Sequence, residues 1–369
     1  MPKQRFEKIV QFSQNKQTPL LVIDLTIVEK RYQEIKQFLP FAKIYYSVKA
    51  NPMKEVILFL NDLGSNFDIA SCFELDQLLS LGISPNKISF GNTIKKEREI
   101  AYAFQKGVDI FVTDSPEDLE KIAKAAPGAR IFFRTYTEGL GSDWPLSRKF
   151  GAHTDLIYSM ILKARDLGVK PYGLSFHVGS QQRDIGQWDD AISKCRYLFE
   201  SVASQGIKLQ MINLGGGLPA NYLEPTLPLH IYASEIQRFL EEDFGEDMPE
   251  IWIEPGRALV GDAGVIVSEI ILISKKAKND LYRWVYLDIG VFNGLIETLG
   301  EAIKYPIYCP KKGYAEEVIL AGPTCDSIDI LYEQHRYSLP QTATVGDRVY
   351  IFTTGAYTQS YSSVNFNGF

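Results

Sequence analysis

The chain has 369 residues, with 39 Lys and Arg against 45 Asp and Glu, so its formal net charge is −6. This mildly acidic balance, without a basic block, argues against nucleic acid as the main partner. Apolar residues make up 45% and charged residues 23%, as in ordinary globular proteins, and the length allows two or three compact units.

The sequence also argues against a membrane protein, a secreted protein and a metal centre. No stretch approaches the roughly 20 apolar residues that cross a bilayer, and the polar first residues lack the apolar core of a signal peptide. The four cysteines, Cys72, Cys195, Cys309 and Cys325, lack the spacing of a zinc site or a disulfide framework. We therefore predict a cytoplasmic protein with no metal and no membrane partner.

Strand-like and helix-like segments alternate up to about residue 262. The predicted strands lie at 44–48, 66–70, 88–91, 109–113, 130–136, 172–178, 210–214 and 250–254. The predicted helices lie at 27–38, 53–63, 73–82, 95–106, 116–125, 154–167, 188–205 and 229–243. This alternation is typical of an α/β protein with a (β/α)8 barrel of the TIM type, and an open doubly wound sheet fits it almost as well.

After residue 262 the pattern changes to strands with little helical period. The strand-like segments are 264–274, 283–289, 317–321 and 347–353, and the early segment 19–25 can join them. Such a run predicts a second, antiparallel β domain. We therefore expect one domain over residues 26–262 and another formed by residues 1–25 plus 263–369.

Polar or reactive residues stand at the C-terminal ends of the predicted barrel strands. They are Lys49, Asp68, Arg134, His177, Gly215 to Gly217, Glu254 and Arg257. In a (β/α)8 barrel these strand ends form one mouth, where residues far apart in sequence meet. This placement favours the barrel over the open sheet.

The residue types at this mouth indicate a pyridoxal 5′-phosphate (PLP) site. Lys49 ends an apolar strand, where partial burial lowers its pKa and makes the amine a nucleophile. Consecutive N–H groups of Gly215 to Gly217 and the guanidinium of Arg257 can bind a phosphate. His177 can stack on a flat ring, and Glu254 can keep a pyridine nitrogen protonated. Each feature alone also has an ordinary structural explanation. Lys49 can extend to solvent, the glycines can form a tight turn, His177 can be a core residue, and Glu254 and Arg257 can form a surface ion pair.

Two later segments add chemistry outside the barrel. GPTCDSID presents Cys325 and Asp326 side by side in a turn, and GAYT offers the phenol of Tyr357 to a phosphate. A lone cysteine is usually inert, whereas a thiol beside a carboxylate is a less usual pair.

Several segments together resemble a known family. YYSVKANP, NFDIAS, HVGSQ, NLGGG, EPGR, GPTCDSID, GAYT and FNGF stand in the order of the fold-type III PLP-dependent decarboxylases, the ornithine/diaminopimelate decarboxylase family. The resemblance covers nearly the whole chain and is closest to bacterial ornithine or lysine/ornithine decarboxylases. It implies an alanine-racemase-like fold, with a PLP-binding barrel and a β domain.

The resemblance also implies roles for single residues. Lys49 would be the Schiff-base lysine, His177 would stack on the ring and Glu254 would face the pyridine nitrogen, where racemases of this fold place an arginine. Further active-site positions are Asp68, Glu74 and Arg134, and the phosphate positions are Ser180, Gly215, Gly216, Gly217, Gly256, Arg257 and Tyr357. Cys325 would protonate Cα, Asp326 would bind the distal ammonium of the substrate, and Phe366 would line the pocket of the departing carboxylate.

In this family the cysteine and the following acid serve the partner's site, so the resemblance implies a homodimer, with an ion pair of Lys149 and Asp329 between subunits.

The segment CDS, where diaminopimelate decarboxylases have CES, favours a basic amino acid. A buried Asp326 would need a cation beside it. The family's second distal acid has only a loose counterpart here, Glu301. We expect decarboxylation of L-ornithine to putrescine in polyamine biosynthesis, and also of L-lysine to cadaverine. Diaminopimelate or arginine decarboxylation and a catalytically inactive regulatory homologue are the alternatives.

Overall fold

The computed structural model describes residues 2–144 and 149–368. The strands are β1 (Leu20–Ile23), β2 (Ala42–Ser47), β3 (Asn66–Ile69), β4 (Ile88–Phe90), β5 (Ile110–Thr113), β6 (Arg130–Arg134), β7 (Ser142–Trp144), β8 (Lys170–Ser175), β9 (Ser180–Gln182), β10 (Met211–Asn213), β11 (Glu250–Ile253), β12 (Gly264–Ser274), β13 (Arg283–Leu287), β14 (Ile307–Tyr308), β15 (Ala315–Ala321), β16 (Ile330–Pro340) and β17 (Arg348–Phe352). The α-helices are α1 (Lys3–Ser13), α2 (Leu25–Phe38), α3 (Lys54–Asp62), α4 (Cys72–Ser80), α5 (Glu97–Gln105), α6 (Pro116–Ala125), α7 (Thr154–Asp166), α8 (Gly186–Ala203), α9 (Leu229–Phe244) and α10 (Arg257–Val260).

The chain forms two compact units. The barrel unit comprises Glu29–Pro219 and Thr226–Ala258, and the β unit comprises Met1–Val28, Ala220–Pro225 and Leu259–Phe369. The domain limits predicted from the sequence, 26–262 and 1–25 plus 263–369, stay a prediction. Within the described ranges, no helix combines the length and the apolar character needed to span a bilayer.

The barrel unit contains a closed parallel barrel of β2, β3, β4, β5, β6, β8, β10 and β11, in which β11 pairs with β2. Each of the predicted barrel strands is present, so the (β/α)8 prediction is confirmed and the open sheet is excluded. Helices α4 and α6 each begin at a capping serine. The hydroxyl of Ser115 accepts the N–H of Asp118 at 3.3 Å at the start of α6, whose first residue is Pro116.

Large side chains fill the interior of the barrel away from the strand ends that carry the polar residues. Tyr45 stacks on Trp252 with ring centroids 4.0 Å apart, and Phe132 and Met211 pack in the same cluster. Burial of each such side chain stabilises the fold by about 1.5–3 kcal/mol. The barrel is thus a packed core, and its chemistry is left to the C-terminal strand ends.

The β unit contains a sheet with the strand order β14-β17-β12-β13-β15-β16, and β1 pairs with β12. The predicted participation of segment 19–25 is confirmed by the antiparallel pairing of β1 and β12. The prediction of a wholly antiparallel domain is wrong at one pair, because β13 and β15 run parallel. The long connection between β13 and β15 contains a 3-10 helix (Ile296–Glu301) and permits a crossover that a hairpin would not.

Candidate active site

The barrel unit brings the predicted polar residues to the C-terminal ends of its strands. Lys49 follows β2 in a short 3-10 helix, Asp68 lies in β3, and Arg134 ends β6. His177 follows β8, the glycines 215–217 follow β10, and Glu254 follows β11. The convergence expected from the sequence is therefore present in the fold of this unit.

Lys49 and Asp68 form a charged pair at this mouth. Lys49 Nζ lies 3.6 Å from Asp68 Oδ2, and the side chain of Lys49 is 42% exposed while that of Asp68 is 2% exposed. Burial raises the pKa of Asp68 well above its usual range, repulsion by Glu254 and Glu74 adds to the rise, and Lys49 opposes it. Asp68 Oδ1 accepts no hydrogen bond from the described residues. This pair can share or move a proton.

Glu254 is fixed by Asn213, a residue that the sequence analysis missed. Asn213 Nδ2 donates to Glu254 Oε1 at 2.5 Å, and Asn213 Oδ1 accepts the N–H of Gly215 at 2.9 Å. The N–H of Glu254 donates to the carbonyl of Gly215 at 2.8 Å. One buried asparagine thus orients the carboxylate and begins the glycine turn. Its signal in the sequence is its place two residues before the first glycine of the run in NLGGG.

His177 is kept as a neutral imidazole. Burial lowers the pKa of His177 well below its usual range, and the cations Arg134 and Lys49 lower it further. Its Nδ1 accepts the N–H of Gly179 at 3.1 Å, so the ring proton of the neutral form is on Nε2. A Cβ placed on Gly216 would lie 3.3 Å from Nε2, which shows that the imidazole faces the glycine turn.

The glycine turn, Gly215–Gly217, has no room for side chains. Gly215 and Gly217 have φ values of 65° and 105°, in the region that favours glycine. A Cβ on Gly216 would lie 2.8 Å from the carbonyl oxygen of Glu254, and one on Gly217 would lie 2.7 Å from that of Gly179. A bare backbone of this kind can come close to an anion.

A buried guanidinium belongs to the same group of residues. Arg257 is 3% exposed, and its Nε and Nη2 donate to Ser180 Oγ at 3.2 and 3.0 Å. Gly256, directly before it, is also buried. A buried cation beside a bare glycine backbone suits a phosphate.

Comparison with known proteins decides the family. Residues 25–261 match the family model described as "Pyridoxal-dependent decarboxylase, pyridoxal binding domain". The chain belongs to this family. It is a PLP-dependent carboxy-lyase, and its resemblance to fold-type III decarboxylases close to bacterial lysine/ornithine decarboxylase is confirmed.

Individual relatives cover almost the whole chain. The lysine/ornithine decarboxylase of Selenomonas ruminantium is 32% identical over 354 residues, which cover 95% of this chain and 88% of that protein. The lysine/ornithine decarboxylase of Vibrio vulnificus complexed with cadaverine is 28% identical with a TM-score of 0.90, covering 100% of this chain and 96% of that one. The arginine decarboxylase of Paramecium bursaria Chlorella virus is 27% identical with a TM-score of 0.91, covering 99% and 97%.

The barrel residues of this decarboxylase fit the cofactor that the family requires. The amine of Lys49 can bond to the PLP aldehyde, the carboxylate of Glu254 can face the pyridine nitrogen, and the neutral His177 can stack on the ring. The glycine turn and Arg257 offer donors to the phosphate. The glycine positions where a Cβ would collide with neighbouring backbone are the independent structural observation for this fit.

Cys325, Tyr357 and Phe366 lie in the β unit. The N–H of Cys325 donates to Asn367 Oδ1 at 3.0 Å, so the closing segment of the chain contacts the CDS turn. Phe366 packs on Phe292 with ring centroids 4.5 Å apart. Cys325 is exposed, and Tyr357 has a φ of 54° and contacts Tyr361. Cys325 and Phe366 are thus brought to one part of the β unit.

Two acids of the β unit, Asp326 and Asp329, accept backbone hydrogen bonds within the single chain. Asp326, treated above as a buried carboxylate, is exposed in the single chain, where its Oδ1 accepts the N–H of Ile328 at 2.9 Å. Asp329, expected in an ion pair with Lys149 across subunits, is 3% exposed, and its carboxylate accepts the N–H of Val291 at 2.8 Å. The intersubunit pair stays a prediction.

Glu301 was predicted to bind the substrate. In the structure its carboxylate is hydrogen-bonded to backbone N–H groups. Its carboxylate accepts the N–H groups of Glu333 and Gln334, both at 2.7 Å, and of His335 at 2.8 Å. Burial acts to raise the pKa of Glu301, and these three donors outweigh it and hold the pKa low. These hydrogen bonds join the end of the 3-10 helix to β16. They favour a structural role for Glu301 over contact with a substrate ammonium.

Proposed function

We propose that this PLP-dependent enzyme decarboxylates basic L-amino acids, converting L-ornithine to putrescine in polyamine biosynthesis and also L-lysine to cadaverine. The observation that carries the chemistry is the placement of Lys49, Asp68, Glu254 and His177 at one barrel mouth beside the glycine turn. The basic substrate class is supported by the relatives, which include lysine/ornithine decarboxylases. We further propose a cytoplasmic homodimer.

Each barrel residue has a defined task in this proposal. PLP, when bound, accepts the electron pair that remains when carbon dioxide leaves the substrate. Lys49 would hold the cofactor covalently and would give it up to the substrate amine, and Asp68 could take up or return the proton at Lys49 Nζ. Glu254, oriented by Asn213, would accept a hydrogen bond from a protonated pyridine nitrogen and so preserve the electron demand of the ring. His177 packs on the ring as a neutral imidazole.

The phosphate and the reaction at Cα use further residues. Ser180, the glycine turn, Gly256 and Arg257 bind the phosphate, and the family pattern adds Tyr357. Cys325 delivers to Cα the proton that replaces the carboxylate, and Phe366 forms part of the apolar wall around the departing group. In the proposed homodimer, Cys325 and Asp326 serve the site of the partner subunit.

The substrate preference follows from charge at residue 326. Asp326 is exposed beside Cys325 in the single chain, so its carboxylate is available to an ammonium group. In a closed dimer site, a carboxylate removed from water would be stabilised by the distal ammonium of ornithine or lysine. Diaminopimelate presents a second amino-acid head group there, and the family pattern for that substrate is the longer glutamate of CES in place of Asp326. Arginine, whose guanidinium is also cationic, is the second candidate, favoured by the viral arginine decarboxylase of the same fold.

The test is a competition assay of purified holoenzyme with L-ornithine, L-lysine, L-arginine and diaminopimelate, measured as carbon dioxide release and diamine formation. We expect the highest kcat/KM with ornithine, a lower value with lysine, and none with diaminopimelate. Lys49→Ala should remove the activity, while Lys54→Ala, a change of an exposed lysine in α3, should leave it unchanged. Preference for diaminopimelate or arginine would replace the substrate proposal, and no release from any of these amino acids would favour an inactive regulatory homologue.

A further inference from the structure

The barrel unit contains a buried lysine that the proposed chemistry does not use. Lys95, in the loop that follows β4, is 3% exposed. Its Nζ donates to the carbonyl oxygens of Asn92 and Val112 at 2.8 and 2.7 Å and to Asp118 Oδ2 at 2.7 Å. An ammonium has three protons to donate, and each of them has an acceptor here. Lys95 therefore joins the loop to β5 and to α6 at once.

The loop that Lys95 joins to its neighbours packs on Asp68. The N–H of Gly91 donates to the carbonyl of Ile69 at 2.9 Å, and Asn92 Nδ2 donates to the carbonyl of Ala70 at 3.1 Å. A Cβ on Gly91 would lie 2.6 Å from Asp68 Cγ. The φ of Gly91 is outside the left-handed region, so its backbone conformation does not require glycine. Glycine is required because a side chain would collide with the carboxylate of Asp68.

Gly91 covers the Asp68 carboxylate beside Lys49. Asp68 Oδ1 has no hydrogen-bond partner among the described residues, while Oδ2 faces Lys49. The charged groups around Asp68 are Lys49, Glu74, Glu254 and Arg134, and the carboxylates among them make its ionisation harder. A loop that excludes water from this carboxylate therefore affects how Asp68 and Lys49 share charge.

We propose that Lys95 is a positioning residue. It holds the loop 91–95 against Asp68 and so excludes water from this carboxylate beside Lys49. It touches neither substrate nor cofactor and acts through Gly91 and Asp68. The inference rests on the proposed role of Lys49 as the residue that binds PLP. Loss of the Lys95 ammonium should let water reach Asp68, which then ionises more readily. An ionised Asp68 stabilises positive charge on the nitrogen of Lys49.

The experiment is an absorbance titration of bound PLP against pH in the holoenzyme without substrate. In Lys95→Met we expect the midpoint to move to higher pH by about half a unit or more, because a nearby anion favours the protonated nitrogen. The matched control is Lys124→Met, which removes an exposed ammonium from the same helix α6 without a contact to the loop 91–95 and should leave the midpoint unchanged. In an Asp68→Asn background, Lys95→Met should cause no shift, since the residue through which it acts is gone.

The outcomes separate positioning from a general structural role. An unchanged titration in Lys95→Met, a shift to lower pH, or an equal shift in the Asp68→Asn background would overturn the inference. If Lys95→Met does not fold, Asp118→Asn keeps both carbonyl acceptors of Lys95, removes its counter-ion, and should shift the midpoint in the same direction by a smaller amount. A protein that shows this pattern yet decarboxylates no basic amino acid would refute the proposed substrate and support this inference.

Discussion

Asn213 donates a 2.5 Å hydrogen bond to Glu254, and with its other amide atom it accepts the first N–H of the glycine turn. The carboxylate proposed to face the pyridine nitrogen and the backbone proposed to bind the phosphate are therefore positioned by one side chain. Because these two groups share one support, their spacing is fixed before a cofactor binds.

Replacement of this support should impair both functions. In Asn213→Ala we expect kcat to fall by about 10- to 100-fold and PLP to bind more weakly, since a hydrogen bond to a charged group contributes about 1.5–3 kcal/mol. Steady-state kinetics and PLP titration of the apoenzyme measure the two effects. Asn221→Ala, in the β unit, is the control and should change neither. Full activity in Asn213→Ala would show that Glu254 does not depend on this contact.

The buried imidazole of His177 should make the free energy of unfolding depend on pH. The pKa of His177 is lowered well below its usual value, so the unfolded chain takes up a proton that the folded chain refuses. Stability is therefore lost as pH falls below about 6.5, the ordinary histidine pKa.

The corresponding variant is His177→Gln. Between pH 7 and pH 5 it should lose about 1–2 kcal/mol less of its unfolding free energy than the parent protein, because the group that takes up the proton is absent. Urea unfolding of the apoprotein at each pH provides the measurement. His230→Gln, a change of an exposed histidine in α9, should follow the parent. Equal pH slopes for His177→Gln and the parent would contradict the assigned neutral state.

Glu301 should matter for stability and not for substrate affinity. Glu301→Gln keeps the shape but weakens acceptance of three backbone N–H groups, and we expect a loss of about 1–2 kcal/mol in unfolding free energy. Because the folded pKa is lowered, this contribution should be present above about pH 4.3 and disappear as pH falls further. Glu333→Gln, on the neighbouring exposed position of β16, is the control. A large rise in KM with unchanged stability would restore Glu301 as a substrate contact.

Asp326 should act mainly on substrate binding. Asp326→Ala is expected to raise KM for the preferred diamino acid, with a loss of roughly 2–5 kcal/mol in kcat/KM if the contact is a buried charge pair in the dimer. Glu317→Ala, in β15 of the same unit, controls for a general loss of negative charge. An unchanged KM in Asp326→Ala would remove this residue from the substrate site.

The sequence predicted the barrel well because each parallel strand is buried on both faces and appears as a short apolar run between turns. The sequence predicted the structure less well where strand pairing or helix packing depends on residues far away in the chain. The parallel pair of β13 and β15 follows from a long crossover whose path has no local signal. The helix α1 was missed because it has no capping side chain and few apolar residues, although Ile9 packs in a cluster with Val265 and Tyr350.

The same limit applies to the site. Lys49, Asp68, His177 and Glu254 stood at strand ends and were found, whereas Asn213 was missed because its partner Glu254 is 41 residues away. No role was assigned to Gly91 and Lys95 from the sequence, since only the fold shows that they pack near Asp68 and Asp118. Glu301 was predicted to contact the substrate because the sequence does not distinguish an acid that binds a ligand from one that accepts backbone hydrogen bonds.

The most direct test of the account is borohydride reduction of the holoenzyme followed by peptide mapping. The account predicts that the coenzyme becomes permanently attached to the peptide that contains Lys49, with one label per chain, and that Lys49→Ala carries no label there. Attachment to another lysine, or a purified protein that binds PLP without any reducible link, would contradict the central role given to Lys49.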